Sequence, residues 1–247
     1  QPTLSSYYPL MHRAPCGIYE LLAFNEQNLE RLVSHTCIDG LSLVLSNDDR
    51  GQLNTLLLHA PDGRLRLRHL LPAFQASYDL VLLDTQGARS ALLEMAVLAS
   101  DVALSPVTPE ILAARELRRG TLQLIEDIAP SRHLGIKPPP LNLLINRVHP
   151  VSANARVIQQ ALRQIFEGRS DVRVLDTAIP VIEAYPRAAT QGLPVHRVEN
   201  RRPTGRSAPS ALETIRAVAC ELLSQWREAF SQVDGKTPKE TGRVQRP

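Results

Sequence analysis

Apolar and polar positions alternate along this chain in two rhythms, and each rhythm predicts a different element. Leu21, Leu22, Leu29, Leu32 and Val33 recur at three- and four-residue spacing, which predicts a helix over residues 18–34. Leu41-Ser-Leu-Val-Leu-Ser46 is a short apolar run ahead of Asn47-Asp48-Asp49, the pattern of a buried strand entering a loop. Helical spacing returns over 53–58 and 65–76, with Pro72 expected to break or kink the second of these. Asp79-Leu-Val-Leu-Leu-Asp84 reads as the clearest strand of the sequence, four consecutive apolar residues stopped by Asp84-Thr85-Gln86-Gly87.

From there helices are expected over 90–99, 110–128, 153–167, 182–191 and 209–230, and strands over 101–105, 141–146 and 172–179. Continuously apolar strands alternating with helices imply a sheet covered on both faces. The fold class is therefore α/β, a doubly wound and mostly parallel sheet. Residues 1–230 form one α/β domain in this reading, and 231–247, polar with Gly, Pro and Lys, form a disordered tail.

Composition narrows the picture mainly by exclusion. No apolar run approaches the length that spans a bilayer, and the first ten residues carry no secretory pattern. Cys16, Cys37 and Cys220 are scattered without metal-ligand spacing, which fits idle thiols in a reducing cytoplasm. The net charge of +3 hides an asymmetry. Residues 1–145 hold 12 basic and 15 acidic side chains, whereas residues 146–247 hold 16 and 10. A basic C-terminal part suits nucleic acid or an acidic surface. The chain opens on Gln1 rather than Met, which suits a fragment or a processed chain.

Ligands of doubly wound sheets sit beyond the carboxyl ends of the strands. At the end of 79–84, Asp84 could hold a water-bound Mg²⁺, and Gly87 would let the backbone approach a phosphate; equally, Asp84 could cap the helix starting near Ser90. Asn146, closing Leu143-Leu-Ile, offers the donor and acceptor an adenine edge needs, or simply bonds its own backbone. Pro180 ends the following strand in a rigid corner. No Gly-x4-Gly-Lys-Ser/Thr loop, GxGxxG, HExxH or GxSxG is present, and Lys137 runs directly into three prolines.

These patches, in this order, resemble the ParA/Soj partition ATPases. Tyr78 to Thr85, then Ala99-Ser-Asp-Val-Ala-Leu-Ser-Pro-Val-Thr-Pro109-Glu110, is similar to that family's "YDxxxxDTPP … AADxxLxPxxPE". Gln1-Pro-Thr-Leu-Ser-Ser resembles the stretch closing its "DxDPQ" motif, Asn146-Arg147 its adenine-side strand end, and Ile179-Pro180 with Glu183-Ala184 and Gly192-Leu-Pro-Val195 its "IP … EA … GxPV" run. The likeness spans almost all of residues 1–230. Gln86-Gly87 in place of two prolines departs from the family pattern and puts the switch in question.

The resemblance implies a cytoplasmic, nucleoid-associated, homodimeric ATPase with ATP and Mg²⁺ as cofactors. It also implies nonspecific DNA and a ParB-like centromere-binding protein as partners, and no membrane. Asp84 would hold the Mg²⁺ shell; Thr85, Gly87, Asn146, Arg147 and Pro180 would line the nucleotide. Arg187, Arg197, Arg201, Arg202 and Arg206, the densest basic stretch, would meet DNA, or would be a solvated loop. The family's phosphate loop and catalytic Asp would precede Gln1, so no catalytic residue is expected here and a central strand would be absent. A MinD-like positioning ATPase is disfavoured because residues 234–247 contain one large apolar residue, Val244. A non-enzymatic module that binds DNA or a partner remains the other reading.

Overall fold

The computed structural model describes residues 7–87, 89–149 and 152–235. Two three-stranded sheets organise it. The N-terminal sheet is antiparallel and joins β1 (Leu10–His12), β2 (Val33–Thr36) and β3 (Ser42–Val44) in that order. The C-terminal sheet is parallel, with β4 (Ala103–Val107), β5 (Leu141–Val148) and β6 (Val172–Pro180) side by side.

The helix expected over 18–34 is divided. Helix α1 (Ile18–Phe24) ends where Asn25 turns left-handed at φ 55°, and Asn28 caps a single turn, α2 (Leu29–Leu32), through its side chain. Val33 and Ser34 then belong to β2, so the helical spacing had run one element into the next. Helix α3 (Gln52–His59) follows β3; α4 (Arg66–Leu70) passes at Pro72 into a 3₁₀ turn, as the proline requires. Together with α5 (Ala91–Ala99) they enclose one apolar cluster, in which Leu22 and Leu32 are wholly buried.

The parallel sheet packs helices on both faces because its central strand β5 is apolar on both. Leu141, Leu143 and Ile145 meet α6 (Ile111–Ile128) and α7 (Ala153–Phe166) through Leu117, Ile158, Leu162 and Phe166. Leu144 faces the other way and packs with Leu175, Ile179 and Val218 of α10 (Ala211–Leu222). Shorter helices α8 (Ala184–Gln191) and α9 (Val195–Val198) precede α10. The long C-terminal helix expected over 209–230 breaks at Leu223 into a 3₁₀ turn and α11 (Arg227–Gln232). Residues 233–235 follow it, with the Val233 carbonyl taking a hydrogen bond from Arg216; the rest of the proposed tail lies outside the described residues. No helix among the described residues is long and apolar enough to cross a membrane.

Residues 79–84 are the principal departure. They form no strand, and Leu82 is 81% exposed. A strand exists only by pairing, and neither sheet offers these residues a partner.

Strand β6 carries a bulge: Val174 and Ala178 stand opposite Leu143 and Ile145, so three residues of β6 face one of β5. The freed backbone groups are held by helices on either side. Glu221 accepts from the Asp176 and Thr177 N–H groups at 2.7 and 3.1 Å and from Arg173 at 2.9 Å. Arg163 donates to the carbonyls of Leu175 and Asp176. Burial pushes the Glu221 carboxyl up, but these donors together outweigh it and leave the pKa below the ordinary 4.5. A depressed carboxylate pKa stabilises the fold above 4.5, and that contribution is lost as pH falls through the lower, folded value. Glu221→Ala is therefore expected to cost about 2 kcal/mol at neutral pH, the scale of two orphaned N–H groups. Urea unfolding at pH 7 and at pH 3 checks it: the gap between variant and wild type shrinks in acid, and a gap independent of pH contradicts the clamp.

Candidate nucleotide site and basic face

Beyond the carboxyl end of the parallel sheet, β5 and β6 bring three of the sequence-selected residues together. Val148 stands opposite Pro180, and the Val181 N–H reaches the Val148 carbonyl at 2.9 Å, so the two strand ends remain paired to their tips. Asn146 and Arg147 lie one turn of the pleat earlier on β5. Arg147 has φ 59°, a left-handed conformation that costs a non-glycine residue about 1 kcal/mol. The Asn146 side-chain oxygen accepts the Arg147 N–H at 2.9 Å and holds that kink. This is the self-bonded arrangement a loop asparagine adopts, and it leaves the carboxamide NH₂ free of any partner among the described residues. A strained residue at a strand mouth, held by an amide with donors to spare, suits recognition of a base edge.

Asp84, Thr85 and Gly87 are exposed, and among the described residues no hydrogen bond joins them to Asn146 or Pro180. Asp84 does not cap the following helix. That role belongs to Ser90, whose hydroxyl accepts the Leu93 N–H at 3.1 Å, while Arg89 pairs with Asp127 of α6. With the capping reading removed, Asp84 carries a carboxylate without hydrogen bond or ion pair among the described residues. No group of three or more metal-ligating side chains occurs among them either. The residues present thus fit ATP·Mg²⁺ at two points, an amide donor for the base and a free carboxylate for the metal's water shell. They do not fit its triphosphate, for which no glycine-rich, lysine-bearing loop is present in the sequence.

The five arginines divide. Arg206 grips both oxygens of Glu199 at 2.5 and 2.9 Å and donates to the carbonyls of Ala208 and Pro209. Glu199 is buried and also accepts the Ala211 N–H at the start of α10. The Arg206 hydrogen bonds, against the opposing effect of burial, hold the Glu199 pKa below the ordinary value. Arg206 is thus a latch closing the 199–211 loop, with its donors spent inside the fold. Sequence reading missed this because Glu199 has four arginines within reach along the chain and nothing local selects one. Arg201 and Arg202 are exposed in the loop, Arg197 is half-buried on α9, and none of the three makes a side-chain hydrogen bond or ion pair with a described residue. Arg187 is exposed on α8, and its only side-chain bond is a long one, 3.4 Å to the Val198 carbonyl. With Glu199 taken up by Arg206, no carboxylate among the described residues is hydrogen-bonded to any of these four guanidinium groups, although Glu213 lies within electrostatic reach of Arg202 and Glu199 of Arg187.

A separate surface cavity opens at the other end of the sheet, beside Arg163, Arg169 and Arg173. Each of these guanidinium groups already bonds a carboxylate or carbonyl, so the cavity offers no free cation.

The profile of the AAA_31 family, described as an AAA domain, matches residues 5–133, slightly more than half the chain. That span includes Asp84 but not Asn146, Pro180 or the basic face. Solved structures share the fold at low identity. Apo McdA of Cyanothece superposes with a TM-score of 0.63 at 19% identity, over 75% of this chain and 71% of that one. Cobyrinic acid a,c-diamide synthase from Mycobacterium smegmatis, with bound ADP and magnesium, gives 0.57 at 18% identity over 81% and 77%. A plasmid partition protein from Borrelia burgdorferi bound to AMPPNP gives 0.53 at 20% identity over 72% and 66%. Comparison with curated proteins gives no match.

Proposed function

The chain belongs to the AAA_31 family of AAA domains, the ParA- and MinD-type group, and from that membership we propose that it is the body of a ParA-type partition ATPase. The observation that carries the reading is the family match across residues 5–133, which includes the Asp84-Thr85 motif at the end of its apolar run. Nucleotide- and magnesium-bound relatives of the same fold support ATP and Mg²⁺ as the ligands. In the proposed arrangement Asn146 and Arg147 meet the adenine edge and Pro180 flanks the base, with Thr85 and Gly87 near the γ-phosphate. Asp84 orients the water shell of Mg²⁺, which when bound neutralises phosphate charge. Arg197, Arg201 and Arg202, with Arg187 beside them, track DNA phosphates without reading bases. Homodimerisation, a ParB-like partner and nucleoid association complete the proposal.

The 247-residue chain itself is expected not to turn ATP over, because its sequence contains no glycine-rich, lysine-bearing loop to cradle a phosphate. Phosphate release, measured at steady state with and without duplex DNA, should stay at the no-protein blank. Turnover above it overturns this part. A chain carrying a lysine-bearing phosphate loop ahead of Gln1 tests the site. There Mg²⁺-dependent ATP binding should appear, and Asp84→Ala should weaken it about tenfold or more while circular dichroism stays unchanged. Unaltered binding in that variant removes Asp84 from the site. If the loop confers no ATP binding at all, the chain is better read as a binding module without enzymatic function.

A further inference from the structure

The antiparallel sheet sets three polar side chains in a row on one face, and an irregularity in β1 makes the row possible. Leu10 stands opposite Thr36, but His12 rather than Met11 stands opposite His35, so Met11 is an extra residue in the strand. An even register would set His12 against Ser34, whose side chain is buried. The bulge instead brings His12 to the exposed face that His35 occupies, with the ring centroids 6.2 Å apart. His35 in turn stands opposite Ser42 of β3, and its Nδ1 lies 3.2 Å from the Ser42 hydroxyl oxygen.

Two imidazoles facing each other across a ladder can share a transition metal. With metal–nitrogen bonds of about 2.0–2.1 Å, two rings on one ion hold their centroids roughly 4.5–6.5 Å apart, and the observed separation lies within that span. A ligating imidazole must offer a bare nitrogen, and its other ring N–H is ordinarily held by an oxygen. Ser42 supplies that oxygen: with Nδ1–H donating to it, the lone pair of His35 falls on Nε2. No third His, Cys, Asp or Glu joins the pair in a metal-holding group among the described residues, which leaves the remaining coordination positions to water. Neutral nitrogen donors favour copper, nickel and zinc over magnesium, which takes oxygen. We propose that His12 and His35 chelate one divalent transition-metal ion, with Ser42 orienting His35, and that the ion fastens the edge strand β1 to β2. The site shares no residue with the nucleotide reading and does not depend on it.

Nickel(II) is the probe, because it leaves the free thiols of the chain unoxidised. Calorimetric titration without nucleotide, on the 247-residue chain and on the loop-bearing chain, should give one tight Ni²⁺ per chain that excess Mg²⁺ does not displace. Paramagnetic broadening of amide signals should centre on residues 12, 35 and 42. His12→Gln, His35→Gln and Ser42→Ala should each weaken binding about tenfold or more, and His59→Gln, on α3, should not. Both site histidines are exposed, so their glutamine variants should keep the wild-type circular dichroism. The proposal is overturned if any of the three site variants binds as tightly as wild type, if broadening centres elsewhere, or if either chain binds no Ni²⁺. A Ni²⁺-dependent dimer in sedimentation also overturns it, since each ion would then bridge two chains instead of two strands.

Discussion

If the proposed DNA contact holds, replacing Arg197, Arg201 and Arg202 together by alanine, in a chain carrying the phosphate loop and with ATP present, should flatten the salt dependence of binding to random-sequence duplex. Each neutralised phosphate contributes roughly 0.9 to the slope of log affinity against log salt, so three lost contacts lower that slope by about 2.7. Between roughly 50 and 200 mM salt, wild-type affinity should then fall about fortyfold further than the variant's. Loss should be uniform across sequences, because phosphate contacts carry no base information. The choice of three residues follows from the geometry: their guanidinium groups are free, whereas Arg206 is spent on Glu199. Arg206→Ala serves as the contrast, since it opens the loop latch and should lower thermal stability instead. An unchanged slope in the triple variant would leave these arginines as solvated charges and move attention to Arg147, Arg187 and Arg216. Sequence-selective loss would indicate base readout and contradict the partition reading.

Gly63→Ala is expected to be the most destabilising single substitution of the N-terminal half, by on the order of 3 kcal/mol. Gly63 sits in the turn between α3 and α4, where its N–H bonds the Ala60 carbonyl at 3.1 Å. A methyl group there would overlap the Leu57 carbonyl oxygen and lie 2.8 Å from the carbonyl carbon. Both are backbone atoms of a helix whose Leu53 and Leu57 are buried in the core, so neither can yield by a rotamer change. A urea midpoint well below wild type at constant slope verifies the expectation. A shift under about 0.5 kcal/mol would mean that the turn re-forms at little cost.

The C-terminal half was legible in the sequence because its signals are local. The β5 run from Leu141 is apolar on both faces, and α6 and α7 carry their buried residues at helical spacing, so periodicity alone gives strand, helix and the covering of both faces. Proline at 72 and serine at 90 mark element ends by their own chemistry, one lacking an N–H and the other supplying a capping oxygen. The family motifs and the choice of Asn146 and Pro180 as neighbours were readable too, since parallel strands in sequence order place their carboxyl ends together.

Other features depended on partners distant in the chain. Helical spacing continued from α1 through α2 into β2, and only the antiparallel pairing of Val33 with Val44 converts its end to strand. Residues 79–84 have the composition of a strand but not its structure, because a ladder requires a neighbour that the local sequence cannot supply. The bulge of β6 waits on Arg163 and Glu221, respectively 12 and 44 residues or more from the groups they hold. Among five arginines of equal appearance, the burial of Glu199 selects Arg206 as its partner and leaves the rest to solvent. Sequence determines propensity residue by residue; which backbone and charged groups are satisfied, and which remain free to bind something else, is decided only when distant segments meet.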